Sequence, residues 1–360
     1  MVIKRKAEIK PTSYYPPIAI HPGESLRDSI EILGITQLEL AKRIGISKKV
    51  INEIINGKAP ITAETAVKLE TIIDVPASFW LKLQSNFEET VARLELEKVT
   101  DLELEIAKNI PYTELAKRGF VIVTRIAEEK VLELRRFFRI SNLKRMKEVS
   151  VAYRCGSNSS NNQVLKDTWI QMGLHLSKEI EVNNFNMAKL KSAVPTMRSL
   201  AHEMPDGFYY QLQKLCADCG IALVLNEHLP KADVYGACVW NDKKTKVTLM
   251  MTVYRKRADI FWFTFFHELG HIIQGNKSDS VDCEWDADDF AASILIPHEQ
   301  YDAFVQRSDF SYSDIMQFSK MIEMHPSIVI GRLQHDKLIP FDSKLSSLIP
   351  KFTIVTKYKN

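Results

Sequence analysis

The sequence has little that would suit an oxidising or membrane setting. Only 5 of its 360 residues are cysteine, an odd number at irregular spacing, which argues against the disulfide framework that staples small secreted domains. No run of 18 or more apolar residues occurs, so no membrane-spanning helix is expected. The opening MVIKRKAEIKP lacks the apolar stretch of a signal peptide. No internal repeat divides the chain. A reducing cytoplasm is the expected compartment.

What is present is unevenly spread. Hydrophobic residues make up 45% and charged residues 26%, with a net charge of +3, which is ordinary for a globular protein and uninformative as a sum. Its distribution says more. Residues 1–60 carry ten Lys/Arg against six Asp/Glu, whereas residues 276–302 carry eight acids and a single Lys277. A basic front end suits a polyanion, and the acidic segment suits a metal.

The pattern suggests an α+β protein that is mostly α. A basic, proline-rich arm (1–20; Pro11, Pro16, Pro17) precedes a five-helix bundle (21–96). There Gly34, Gly45 and Gly57 stop helices, and Ser47 and Thr62 cap them. Thr36 and Glu39 form a capping box, and Pro76 opens the fifth helix. Residues 97–200 read as a mostly helical connection with a strand at Phe120–Val123 and a loop at 156–162. Residues 201–300 read as a core with strands at Ile221–Leu225, Val234–Trp240 and Val247–Val253. They continue with helices near Ile260–Gln274 and from Glu284 to Leu295. Residues 301–360 form a helical extension.

His267-Glu268-Leu269-Gly270-His271 is the sharpest chemical signal. On a helix, positions i and i+4 share a face, so both imidazoles can reach one zinc ion with Glu268 beside them. Glu284 and, four residues on, Asp288 follow on a second helix. Glu284 supplies a third ligand, and Asp288 can accept the outer N–H of a ligand histidine and fix its tautomer. Three protein ligands leave a position for water, the hallmark of a catalytic zinc. Glu268 is then the general base. Phe261, Trp262, Phe263, Phe265, Phe266, Ile272 and Ile273 surround the histidines and predict a buried helix. Cys216-Ala-Asp-Cys219 has no second pair and reads as buried apolar filler.

The run Phe261–His271, with Asp286-Ala-Asp-Asp-Phe-Ala-Ala292 and Leu295-Ile-Pro297, resembles the ImmA/IrrE family of zinc metallopeptidases. The resemblance implies a zincin-like, thermolysin-type active site with ligands His267, His271 and Glu284, base Glu268 and supporting Asp288. It also implies a protein substrate, a repressor or the chain itself. The family usually has Glu-Ala-Asn where this chain has Asp286-Ala287-Asp288, a change that keeps a short polar group at 288. In such peptidases an edge strand beside the metal helix pairs with substrate. Val247–Val253 is a candidate for it, or else an ordinary half-buried strand.

In the bundle, the helix, the turn at Gly45 and the second short helix match the arrangement that lays a recognition helix in the DNA major groove. Gln37 suits a phosphate. Ser47, Lys48, Lys49 and Asn52 stand where side chains reach bases or phosphates, and Lys58 adds a cation. A plain helical bundle with solvated lysines is the alternative. His21-Pro-Gly-Glu24, Ile35–Ala41, Ile54-Ile-Asn-Gly57, Ile61–Ala66 and Phe79-Trp-Leu-Lys-Leu-Gln84 resemble the HigA-type antitoxin branch of the Cro/C1 helix-turn-helix family. That resemblance implies a homodimer on a palindromic double-stranded operator, and a cognate toxin as a further partner. Two functions stay open: a DNA-binding regulator that is also a zinc endopeptidase, or an antitoxin-like repressor whose peptidase fold holds metal without cutting.

Overall fold

A computed structural model describes residues 18–146, 148, 163–252, 254–275, 281–306 and 309–352. The expected arm up to residue 17 and the loop 156–162 lie outside these. The chain divides into two compact units, one spanning 7–100 and the other everything from 101 onward. The segments 97–200, 201–300 and 301–360 fall almost wholly within the second. The described residues are mostly helical with one small sheet. No helix among them is long and apolar enough to cross a membrane.

The first unit holds α1 (Pro22–Ile32), α2 (Gln37–Ile44), α3 (Lys48–Ile55), α4 (Ala63–Ile73) and α5 (Ala77–Glu97). Side-chain caps start four of them: His21 Nδ1 accepts from the Gly23 amide, and the Thr36, Ser47 and Thr62 hydroxyls accept from the amides of Glu39, Val50 and Thr65. Each hydroxyl cap stabilises a helix by about 1 kcal/mol. The capping box is only half formed, because the Glu39 carboxylate pairs with Arg43, one turn on, rather than turning back. Leu26, Leu40, Ile51, Ile54, Leu69 and Trp80 form the core. Gly23 permits the α1–α3 contact, since a Cβ there would fall 2.0 Å from the Ile54 carbonyl oxygen. Buried Gln84 accepts from the Ile61 amide at 2.9 Å and donates to Glu88. The Trp and Gln of the Phe79–Gln84 run therefore fill and satisfy this core.

In the second unit, α6 (Asp101–Lys108), α7 (Tyr112–Lys117), α8 (Ala127–Phe138), α9 (Gln163–Ser177), α10 (Met187–Glu203) and α11 (Phe208–Asp218) lead to β1 (Ile221–Leu225), β2 (Gly236–Trp240) and β3 (Val247–Met251). Then come α12 (Ala258–Gln274), α13 (Val281–Leu295), α14 (His298–Val305), α15 (Tyr312–Met321) and α16 (Pro326–His335). The sheet order is β1-β3-β2, with β1 parallel and β2 antiparallel to β3.

Two expectations are corrected here. Val247–Met251 is the central strand, so it cannot be an edge that pairs with substrate. It is not half-buried either: Val247, Leu249 and Met251 face the main core, while Met250 packs on Gly173 of α9. The outer strands beside β3 are β1 and β2. Phe120–Val123 is not a strand, because side chains take its backbone groups: the Tyr112 hydroxyl donates to the Ile122 carbonyl, and the Ile122 amide donates to Glu133. Helix α13 also begins three residues before Glu284. α15 and α16 contribute Ile315, Phe318, Ile328, Val329, Ile330 and Leu333 to the same core as the aromatic face of α12.

Candidate functional site

The aromatic run of α12 buries Phe261, Trp262, Phe265, Phe266, Leu269 and Ile272, burial worth roughly 1.5–3 kcal/mol for each large side chain. Helical periodicity then turns His267 and His271 toward α13. Gly270 lies between them, and a Cβ there would sit 3.2 Å from Ala287 Cα. This close approach lets Glu284 and Asp288, on either side of Ala287, meet the histidines.

The Nε2 atoms of His267 and His271 are 3.1 Å apart. Glu284 spans them, with one carboxylate oxygen 3.5 Å from His267 Nε2 and the other 3.5 Å from His271 Nε2. Asp288 Oδ1 lies 2.7 Å from His267 Nδ1. With Asp288 accepting the Nδ1 proton, loss of the other ring proton turns the Nε2 lone pair of His267 toward the cluster. Ligand atoms of His267, His271 and Glu284 all fall within 4.8 Å of one another. Around a tetrahedral zinc with bonds of ~2.0–2.1 Å, donor atoms stand ~3.3–3.4 Å apart, so the spacings of 3.1 and 3.5 Å suit such an ion. Two neutral imidazoles and a carboxylate also suit zinc chemically.

The electrostatics of the metal-free cluster follow from the same contacts. Burial pushes the His267 pKa down, but its bonds to Asp288 and Glu284 and the charge of Glu268 more than offset this and hold it at about 10. His271 is lowered, first by burial and then by the neighbouring His267. Glu268 is 6% exposed, on the same helix between the two histidines.

Three contributors escaped sequence reasoning. Gly236, which opens β2, lies against Glu268: a Cβ there would fall 2.7 Å from Glu268 Cγ and 2.8 Å from Oε1. An isolated glycine in a strand does signal close approach, which was the available clue. Gly270, inside the motif itself, admits α13. Arg198 donates to the Ile294 carbonyl at 2.8 Å and to Ile322 at 2.7 Å, tying the end of α13 to that of α15; nothing local marks it.

In the first unit Ser47, Lys48, Lys49, Asn52 and Lys58 are exposed and Gln37 is half-buried. Lys48 and Lys49 lie in the first turn of α3. Ser47 accepts from the Val50 amide, which leaves its hydroxyl proton free to donate. Asn52 is held by the Asn56 amide at 3.0 Å, and Lys49 stands 3.9 Å from Glu53.

The short helices α2 and α3, joined by left-handed Gly45 and packed on α1, α4 and α5, define a helix-turn-helix domain. The helix-turn-helix family model matches residues 26–80, and through this domain the chain belongs to that family. It is 34% identical to virulence-associated protein I of Dichelobacter nodosus over 82 residues, which are 22% of this chain and 76% of that protein. It is 30% identical to an HTH-type transcriptional regulator, YddM, of Escherichia coli over 81 residues, which are 22% of this chain and 82% of that protein. A solved structure of Pseudomonas aeruginosa antitoxin HigA with the higBA promoter is 34% identical. It covers 21% of this chain and 83% of its own, with a TM-score of 0.20.

Proposed function

We propose that the protein is a DNA-binding transcriptional regulator that is also a zinc-dependent endopeptidase, cutting a regulatory protein or itself. The observation that carries the enzymatic half is the convergence of His267, His271 and Glu284 donor atoms beside the buried acid Glu268. The regulatory half is supported by membership of the helix-turn-helix family and by the exposed lysines of α3.

The chain's own residues divide the work. His267, His271 and Glu284 would hold the zinc. Bound there, zinc supplies Lewis acidity that polarises a carbonyl and acidifies water. Asp288 keeps the His267 proton on Nδ1 and its ring in place. Glu268 takes a proton at its carboxylate and hands it to the leaving amine. The outer strand β2 begins at Gly236, against Glu268, so an extended peptide added to its edge would run past the acid. On DNA, α3 would enter the major groove, with Lys48 and Lys49 on phosphates and Asn52 toward base edges.

The test uses the full chain loaded with zinc, incubated alone and with denatured casein, with fragments read by mass spectrometry. Fragments should appear with wild type and vanish with chelator or with Glu268→Gln, which should still bind zinc. Binding to the DNA upstream of its own coding sequence is read by anisotropy. Intact substrates throughout, from zinc-loaded protein that binds this DNA, would favour the antitoxin-like repressor instead.

A further inference from the structure

Helix α16 starts on an imidazole. His325 is its N-cap, half-buried and in extended backbone, with Pro326 as the first helical residue. The ring Nδ1 accepts from the Ser327 amide at 3.2 Å and meets the Ser327 hydroxyl at 2.8 Å. Ser327 is fully buried, and its hydroxyl bonds to no other described residue. We infer that His325 is an acid-released latch, whose neutral ring holds the start of α16 and whose protonation frees it.

The bonding requires the neutral ring. An amide N–H can only donate, so Nδ1 must present its lone pair and the ring proton sits on Nε2. In acid the added proton goes to Nδ1. It can still be donated to the Ser327 hydroxyl, but two N–H groups then face each other across 3.2 Å. The imidazolium also meets the positive end of the α16 dipole.

The surroundings oppose a charge as well. From α10, His202 acts on the ring, and two imidazoles that both charge in acid repel. Arg198 stands one turn before His202 on the same face of α10 and donates to the carbonyls of Ile322, at 2.7 Å, and Glu323, at 3.2 Å. The turn's one carboxylate, Glu323, acts on Arg198. No carboxylate among the described residues acts on His325. Burial first, and His202 second, accordingly hold its pKa below 6.5.

The latch closes a strained turn. Glu323 has φ +49°, in the left-handed region that a residue with a Cβ rarely adopts. Arg198 and His325 clamp this turn, and only the histidine titrates near neutrality. Beyond it, Ile328, Val329, Ile330 and Leu333 of α16 enter the core that backs the aromatic face of α12. Release would loosen the support behind the metal helix, whether or not that helix serves a peptidase.

The sign follows from the lowered pKa. The contribution of His325 is fully present above the unfolded value of 6.5 and is lost as pH falls through the lower folded value. The test is hydrogen exchange of the full chain at ~pH 7.5 and ~pH 5.5, with protection corrected for the intrinsic pH dependence of exchange. Mass spectrometry reads peptides covering 322–331. Wild-type protection there should fall by up to about tenfold, the limit for a ring that titrates normally once released. His325→Asn, an N-cap that accepts without titrating, should keep its protection in acid; His325→Ser is a second such cap should the first not fold. Any acid effect on the metal centre is common to wild type and both variants. Constant protection in wild type, or an equal fall in the variants, overturns the latch.

Discussion

Gly236 stands against the Glu268 carboxylate so closely that a methyl group on it would come within 2.8 Å of Oε1. Strand β2 and helix α12 meet at this point, and the absence of a side chain on one creates the place for the acid on the other. Gly236→Ala should therefore displace Glu268 without touching a ligand. Proteolysis should fall on the order of 10²-fold, the cost of misplacing a reacting group by about an ångström, while zinc stoichiometry by atomic absorption stays at the wild-type value. Loss of zinc in this variant would mean that the glycine supports the whole cluster rather than the acid.

Asp288 is expected to act through His267. Asp288→Asn should weaken zinc about 10–100-fold, as removal of an outer hydrogen-bond partner does, measured by competition with a chromogenic chelator. Unchanged affinity would show that the 2.7 Å contact does not orient the ring.

The metal-free cluster also has a defined pH behaviour. His267 is raised to about 10 by Asp288 and Glu284 against the opposing effect of burial. Its protonated form therefore stabilises the fold fully below the unfolded value near 6.5, and that contribution is lost as pH rises through about 10. Zinc must displace that proton, so binding at pH 7 should release about one proton from His267. Calorimetry in buffers of different ionisation enthalpy measures the release, which should shrink in Asp288→Asn. Equal release in both proteins would contradict the assignment.

On the DNA side, Lys48 and Lys49 are proposed phosphate contacts. Each Lys→Ala change should reduce the slope of log affinity against log salt by about 0.9 and weaken all sequences alike. Asn52→Ala should instead reduce discrimination between the operator and random duplex. Identical salt slopes for wild type and both lysine variants would remove α3 from the interface.

Gln84→Ala should strip the buried Ile61 amide of its acceptor and destabilise the first unit by about 1–3 kcal/mol. Chemical denaturation reads this through the fluorescence of the buried Trp80 in a chain whose other four tryptophans are changed to phenylalanine. An unchanged midpoint would mean that water replaces the lost oxygen.

Local chemistry was legible wherever a few neighbouring residues decide the outcome. The caps at Ser47 and Thr62 needed only a hydroxyl three residues before an orphan amide. The His267/His271 pair needed only the helical period. The pattern misleads where another side chain competes for the same group. Glu39 fitted a capping box, yet Arg43 one turn away claimed its carboxylate. The apolar Phe120–Val123 run looked like a strand, but Tyr112 and Glu133 took up its backbone groups. Val247–Met251 showed an alternation that fits an edge strand, and no pattern within five residues reveals a neighbour on each side.

The order of residues alone settled the capped helices of the first unit, the metal-type spacing on α12 and its aromatic burial, because short-range geometry repeats in every helix. Folding in three dimensions decided that Glu284 reaches both imidazoles through the gap at Gly270, that Gly236 shelters Glu268, and that Arg257 meets Lys351 across 94 positions of chain. Those juxtapositions depend on which surfaces dock, and docking is governed by the shape and burial of the whole core rather than by any segment's own preference.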